Sequence, residues 1–295
     1  MSAISRRDFI KQAAATSAAA AFFPIAAREL MSNPLGLPIG SQTYPHRQRI
    51  KDGDFAGLCR DMKALGIDII ELCSPGYEEF ASLADAKTTK KIIEDHGLTC
   101  PSAHVTLEEL RNGLPKAIAW AQEIGVTQMG TATLNGKSEN GVAAMDEVKR
   151  LADEYNAISA TVSKAGLQQF LHDEWFEMAK VDGRLVYEVL LELLDPKLVK
   201  MQFQMSAMRT IGDPVAYFAK YPGRFISMHL QGVDLNAPIP VRGGPRPPAV
   251  AVGHDSLDWP RIFAAAKAGG VKNYFLEQSW DLTVQGVAFL KTLNA

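Results

Sequence analysis

From Ile39 onward the chain repeats one phrase: a short apolar run, a polar loop, an amphipathic stretch at helical spacing, and often a glycine ahead of the next run. The runs begin at Ile39, Ile67, Leu98, Val126, Leu167, Val199, Phe225 and near Lys272, eight in all. They lie 26 to 47 residues apart, which leaves room each time for a strand, a crossover helix and two loops. Between them, Phe55, Leu58, Met62 and Leu65 predict one helix, and Val142, Met145, Val148, Leu151 and Tyr155 another. Gly66, Gly97, Gly125, Gly166 and Gly270 stand where a helix ends and a strand is about to begin. Asp195-Pro196 and Pro222-Gly223 take that place ahead of the sixth and seventh runs.

Strand and helix units that alternate without a break in composition predict one parallel sheet, and eight of them predict a closed (β/α)8 TIM barrel. A doubly wound open sheet expects a glycine-rich phosphate turn after its first strand, and none follows Tyr44. The expected fold class is therefore α/β, with a single barrel over residues 28–295.

The segment ahead of the first unit is of a different kind. Ser5-Arg6-Arg7-Asp8-Phe9-Ile10-Lys11 precedes an alanine-rich apolar stretch from Ala13 to Ala27, interrupted only by Thr16, Ser17 and Pro24. A membrane span needs about twenty predominantly apolar residues, so this shorter stretch predicts the core of an export signal and no stable membrane span. The paired arginines resemble the twin-arginine translocation signal, whose Ser-Arg-Arg-x-Phe-Leu-Lys pattern is met except at Ile10. That resemblance implies a bacterial protein that folds in the cytoplasm, passes through the twin-arginine translocation machinery and works in the periplasm or otherwise outside the cytoplasm.

Composition narrows the function classes. With 47% apolar residues and 31 basic against 33 acidic groups among 295 residues, the chain is globular and has no electrostatic footprint for nucleic acid. Removing residues 1–27 takes away three cations and one anion, leaving 268 residues at a net charge of −4. The cysteines Cys59, Cys73 and Cys100 are odd in number and form no CxxC pair, which predicts buried thiols.

In a (β/α)8 barrel the chemistry gathers at the C-terminal ends of the strands, where all eight units converge on one mouth. Five of the six histidines fall there: His46 after the first strand, His104 and His172 at the ends of the third and fifth, His229 on the seventh and His254 in the loop after it. His96 instead ends a helix ahead of Gly97, favourable to the dipole there. Glu71 ends the second strand, Asp173, Glu174 and Glu177 follow the fifth, and Glu277 lies late in the eighth. Any one of these has a structural explanation, but together the imidazoles and carboxylates suit a divalent metal such as Zn²⁺ or Mn²⁺ with positions open for substrate. The insert Ala237–Val250, with five prolines and with Arg242 and Arg246, is stiff enough to cap the mouth or to tether its edges.

The stretch Ala165 to Met178, AGLQQFLHDEWFEM, resembles the Gly-hydrophobic-Tyr-His-Asn-His-x-x-Glu-Phe segment of xylose isomerase-like barrels, which include sugar phosphate isomerases/epimerases and inosose dehydratases. Leu194-Asp195-Pro196, Gly212-Asp213-Pro214, Met228-His229-Leu230, Val252-Gly253-His254, Leu257-Asp258-Trp259 and Tyr274-Phe275-Leu276-Glu277 follow in that family's usual order. The resemblance implies a divalent metal (Mn, Zn, Co or Mg) at His172, Gln204, His229 and Glu277. Gln204 stands where the family has Asp, and a neutral amide in that place weakens the hold on a cation. Gln231 and Gly232 stand where it has Lys and Asp.

The activity implied by the resemblance is proton abstraction from a carbon beside a carbonyl, with a metal stabilising the enediolate. On this reading Glu277 is ligand and base, Glu71 or Glu174 is the second acid/base, and His104, Arg242 and His254 contact substrate. Export favours an unphosphorylated sugar or keto-sugar over a cytoplasmic sugar phosphate. The expected function is a carbohydrate isomerase or epimerase. A lyase or hydrolase of 3-keto-glycosides stands as an alternative, as does a sugar-binding barrel without its metal, for which Gln204 speaks. The endonuclease IV-like branch of the fold needs more ligands and a basic face, against the charge balance. A homo-oligomer is compatible with all of these.

Overall fold

The computed structural model describes residues 33–240, 244–245 and 247–293; the export-signal segment 1–27, Arg242 and Arg246 lie outside them. Eight strands close into a barrel: β1 (Gly40–Gln42), β2 (Ile69–Cys73), β3 (Thr99–His104), β4 (Gln128–Thr131), β5 (Gln168–Leu171), β6 (Val199–Gln204), β7 (Phe225–Leu230) and β8 (Asn273–Leu276). Every pairing is parallel, and β8 closes on β1 through Gly40–Phe275 and Ser41–Leu276.

One main helix follows each strand: α1 (Phe55–Leu65), α2 (Ala86–Asp95), α3 (Leu114–Ile124), α4 (Met145–Lys164), α5 (Val186–Leu193), α6 (Pro214–Lys220), α7 (Trp259–Gly269) and α8 (Trp280–Leu290). The architecture is the expected (β/α)8 barrel. Gly66 and Gly125 end α1 and α3 at φ +96° and +97°, a left-handed conformation that a side chain would strain. All three cysteines are free and buried. Among the described residues no helix is long and apolar enough to cross a membrane.

The helix expected from Val142 begins at Met145 instead. Val142–Ala143 pair with Ser138–Glu139 and Lys180–Val181 in a small sheet that ties the loop after β4 to the loop after β5. Val142 is 58% exposed, so its place in the helical period reflects no buried face.

The apolar core lies between barrel and helices. Phe203 of β6 packs on Phe218 of α6 and Tyr187 of α5, and Tyr274 of β8 packs on Phe263 of α7. The barrel interior is polar around Glu71, with Phe170 and Phe275 packed against His104 and His229, and two irregularities set its register. Ile69 pairs with Thr99 but Glu71 with Ser102, leaving an extra residue at Cys100-Pro101, where Pro101 has no N–H to give. Met201 pairs with Phe225 but Gln202 with Ser227, which adds one on β7. These shifts bring Glu71, Ser102, Gln202 and Ser227 to one level inside. Lower down, Asn273 Nδ2 donates across the barrel to Gln128 Oε1 at 2.9 Å.

Gly130 on β4 has no room for a side chain, since an added Cβ would press on the Phe170 carbonyl and ring of β5. Gly130→Ala is expected to lower stability by about 1–3 kcal/mol, measured by urea denaturation against the unchanged chain.

Candidate functional site

At the centre of the barrel the Glu71 carboxylate is fully buried. Its Oε1 accepts from Gln42 Nε2 at 2.9 Å and His229 Nε2 at 2.5 Å, with His104 Nε2 at 3.3 Å. Its Oε2 accepts from Ser102 Oγ at 2.5 Å and Gln202 Nε2 at 2.9 Å. Burial alone would push this carboxyl up, but His104 and His229 outweigh it and hold Glu71 well below the usual carboxylate range. Gln202 Oε1 in turn accepts from His104 Nε2 at 2.7 Å.

Above Glu71 sit three imidazoles. His104 ends β3, His172 directly follows β5 and His229 lies on β7, alternate strands whose inward side chains share one layer. The His172 and His229 rings are 4.7 Å apart, and His104 lies 5.4 Å from each. One nitrogen from each of the three lies within 4.8 Å of the others. His229 Nδ1 is 3.2 Å from Glu277 Oε2. Burial favours a neutral ring, but the flanking Glu277 and Glu71 carboxylates raise His229 to about 10. Against the same burial, His229 holds Glu277 down to about 2. His172 is pushed well below its ordinary value by burial and by the two neighbouring imidazoles. Gln204 Nε2 donates to Glu277 Oε2 at 2.6 Å and lies 3.5 Å from His172 Nε2; Gln231 Nε2 donates to the same Glu277 oxygen at 2.8 Å. His172, Gln204, His229 and Glu277, the set the family resemblance implies, thus converge.

Over this cluster opens a cavity of about 720 Å³, the size of a small-molecule site. Glu277, Glu174, Trp175, Gln204, Gln231 and Tyr44 are among its walls, and Pro240, Pro247 and Pro248 of the insert line its edge. The described ends of the insert therefore lie at the mouth, held by an antiparallel bridge between Gly232 and Val250 and by Arg209, which donates to the Ala237 carbonyl.

Three expectations are corrected. Glu71 does not face the cavity; with both oxygens saturated beneath His229 it has no access to a substrate. His104 is also buried below the cavity, bonded to Gln202. His254 is exposed and is not among the described residues lining the cavity, because the chain turns outward after Ala251. His46, likewise placed at the rim, is buried against Trp280 and pushed down to about 4 by burial and by Arg49. Asp173 adds no charge in place of the missing aspartate: it accepts from the Gln204 backbone at 3.1 Å, and burial pushes its carboxyl well up. Missed by the sequence reading were Gln42, Ser102, Gln202 and Ser227. The signal available was the alternation Ser102/His104, Gln202/Gln204 and Ser227/His229, a polar inward face on otherwise apolar strands.

Neither a family model nor a curated protein matches the chain. Among solved structures it is similar to a sugar phosphate isomerase/epimerase from Parabacteroides distasonis, at 21% identity and a TM-score of 0.68, covering 86% of this chain and 93% of that one. It is also similar to the probable 3-DHS dehydratase AsbF from Bacillus anthracis (12%, TM-score 0.62, 88% and 99%). A xylose isomerase-like TIM barrel protein from Mycobacterium smegmatis, in complex with magnesium, is a third (15%, TM-score 0.60, 86% and 95%). These likenesses give the fold: a xylose isomerase-like TIM barrel.

Glu177 fastens the cavity wall, accepting from Leu134 N at 2.9 Å, Thr133 Oγ1 at 3.1 Å and Glu174 N at 3.1 Å. Burial nonetheless pushes its carboxyl from 4.5 up to about 7. The folded chain then holds a proton that the unfolded chain releases, so this group's contribution is present below pH 4.5 and is lost as pH rises through about 7. The unfolding free energy should fall by about 3 kcal/mol across that window, and Glu177→Gln should remove that slope in urea titrations at stepped pH.

Proposed function

We propose that the chain is a metal-assisted sugar isomerase or epimerase that moves a proton at a carbon next to a carbonyl. The observation that carries this reading is the presence of two carboxylates, Glu174 and Glu277, in the wall of one cavity, with Glu277 3.2 Å from the buried imidazole cluster beneath it. The donors fit a divalent ion: Gln204 Oε1 is buried without a hydrogen-bond partner, and His229 Nδ1 faces the Glu277 carboxylate at 3.2 Å. His172, Gln204, His229 and Glu277 would hold the ion, and bound there it would polarise the sugar carbonyl and its neighbouring hydroxyl.

The remaining roles belong to the chain itself. Glu277 removes the proton and Glu174, on the loop after β5, is the second acid/base. Trp175 is an aromatic part of the wall against which a sugar ring can pack, and the prolines at the cavity edge limit water at the mouth. An unphosphorylated sugar is favoured because two cations at the mouth are already engaged: Arg47 with the Tyr44 carbonyl and, at 3.6 Å, Glu79; Arg209 with the Asp234 and Ala237 carbonyls. Work in the periplasm after twin-arginine export is part of the proposal, supported by the Arg6-Arg7 pattern.

A sugar-binding barrel without catalysis is a second reading, favoured by the Gln204 and Gln231 amides that both donate to Glu277. Incubating the protein in D2O with unphosphorylated aldoses and ketoses and Mn²⁺, Zn²⁺, Co²⁺ or Mg²⁺ separates the two. Deuterium should enter the sugar beside its carbonyl, and Glu277→Gln and Glu174→Gln should each slow this by about 10²–10⁴-fold. Binding of sugars with no exchange under any metal would leave only the second reading.

A further inference from the structure

We infer that the metal donors are three imidazoles, with His104 joining His172 and His229, and that the site takes a nitrogen-preferring ion of the Zn²⁺ or Co²⁺ class over Mg²⁺. The inference rests on the proposed function only in placing a metal at this mouth. All three rings are buried and offer nitrogens within 4.8 Å of one another. Glu71 Oε1 meets Nε2 of both His229, at 2.5 Å, and His104, at 3.3 Å, and those two rings stack at 15°. A carboxylate behind an imidazole fixes its tautomer and leaves the other nitrogen for a metal. In His229 that other nitrogen, Nδ1, is buried and turned toward Glu277 Oε2, 3.2 Å away, on the side of the cavity.

The oxygens are less available. Glu277 Oε2 already receives the amides of Gln204 and Gln231, and Gln204 is neutral. Mg²⁺ favours sites rich in anionic oxygen, whereas imidazole donors suit Zn²⁺ and its neighbours. Nearly any site binds Zn²⁺ more tightly than Mn²⁺, so affinity order alone is no test; which atoms take the ion is.

The full chain, labelled with ¹⁵N-histidine, is titrated with Zn²⁺ and separately with Mg²⁺ while the ring nitrogens are followed by NMR. One equivalent of Zn²⁺ should move nitrogens of His104, His172 and His229, Nδ1 in the case of His229 with its Nε2 still protonated, and equimolar Mg²⁺ should move none. His104→Ala should weaken Zn²⁺ by more than about 100-fold, beyond the roughly 10–100-fold expected when Glu71→Gln removes a partner behind the ligand. Zn²⁺ that leaves the His104 nitrogens unmoved, Mg²⁺ that displaces Zn²⁺ at equal concentration, or no bound ion at all overturns the inference. Sugar exchange with Mg²⁺ that moves the His172 and His229 rings and leaves His104 unmoved would retain the proposed function and end this inference. Zn²⁺ on three rings without sugar exchange would do the reverse.

Discussion

The Glu71 carboxylate is fully buried in the barrel interior, and five donors meet it from β1, β3, β6 and β7. A buried anion left short of partners costs several kcal/mol, so the interior holds only while all four strands keep their register. That requirement explains why the chain tolerates an extra residue at Cys100-Pro101 and another on β7. Each shift brings an oxygen or amide of Ser102, Gln202 or Ser227 to the level of Glu71. The apolar shell between barrel and helices supplies the bulk of the stability; Glu71 and its partners select which of several registers that shell encloses.

The same carboxylate orients the floor of the cavity. By taking Nε2 of His229 it turns Nδ1 toward Glu277, and the chain of contacts from Glu71 through His229 to Glu277 and Gln204 runs from the centre of the barrel to the cavity wall. Polar side chains buried in this way carry meaning only as a set. Removing one leaves its neighbours unsatisfied in a medium of low dielectric, so geometry at the mouth is inherited from below.

The barrel was legible in the sequence because the outward faces of its strands are apolar and its helices amphipathic, so that periodicity and glycine placement marked nearly every element. Val142 was misplaced since a two-residue strand leaves no period to read. The converging set His172, Gln204, His229 and Glu277 was legible through the resemblance to the family segments that carry those four positions. Glu71 and His104 were assigned to the wrong depth: a strand end tells how high a residue lies along the barrel, but not whether a second layer of side chains covers it. His254 was assigned to the wrong side, because its loop turns outward over a distance that no local pattern records. Ser102, Gln202 and Ser227 passed unnoticed because single polar residues within apolar strands look like interruptions until the register aligns them.

The central claim is that this buried floor, ordered by Glu71, is a metal site. Anomalous diffraction at the zinc edge, from crystals of the chain grown with Zn²⁺, tests it most directly. The account predicts one peak beneath the cavity, about 2.0–2.1 Å from imidazole nitrogens of His104, His172 and His229. Zinc found only on the outer surface, with Gln204 still bonded to Glu277 over an undisturbed histidine cluster, would contradict it.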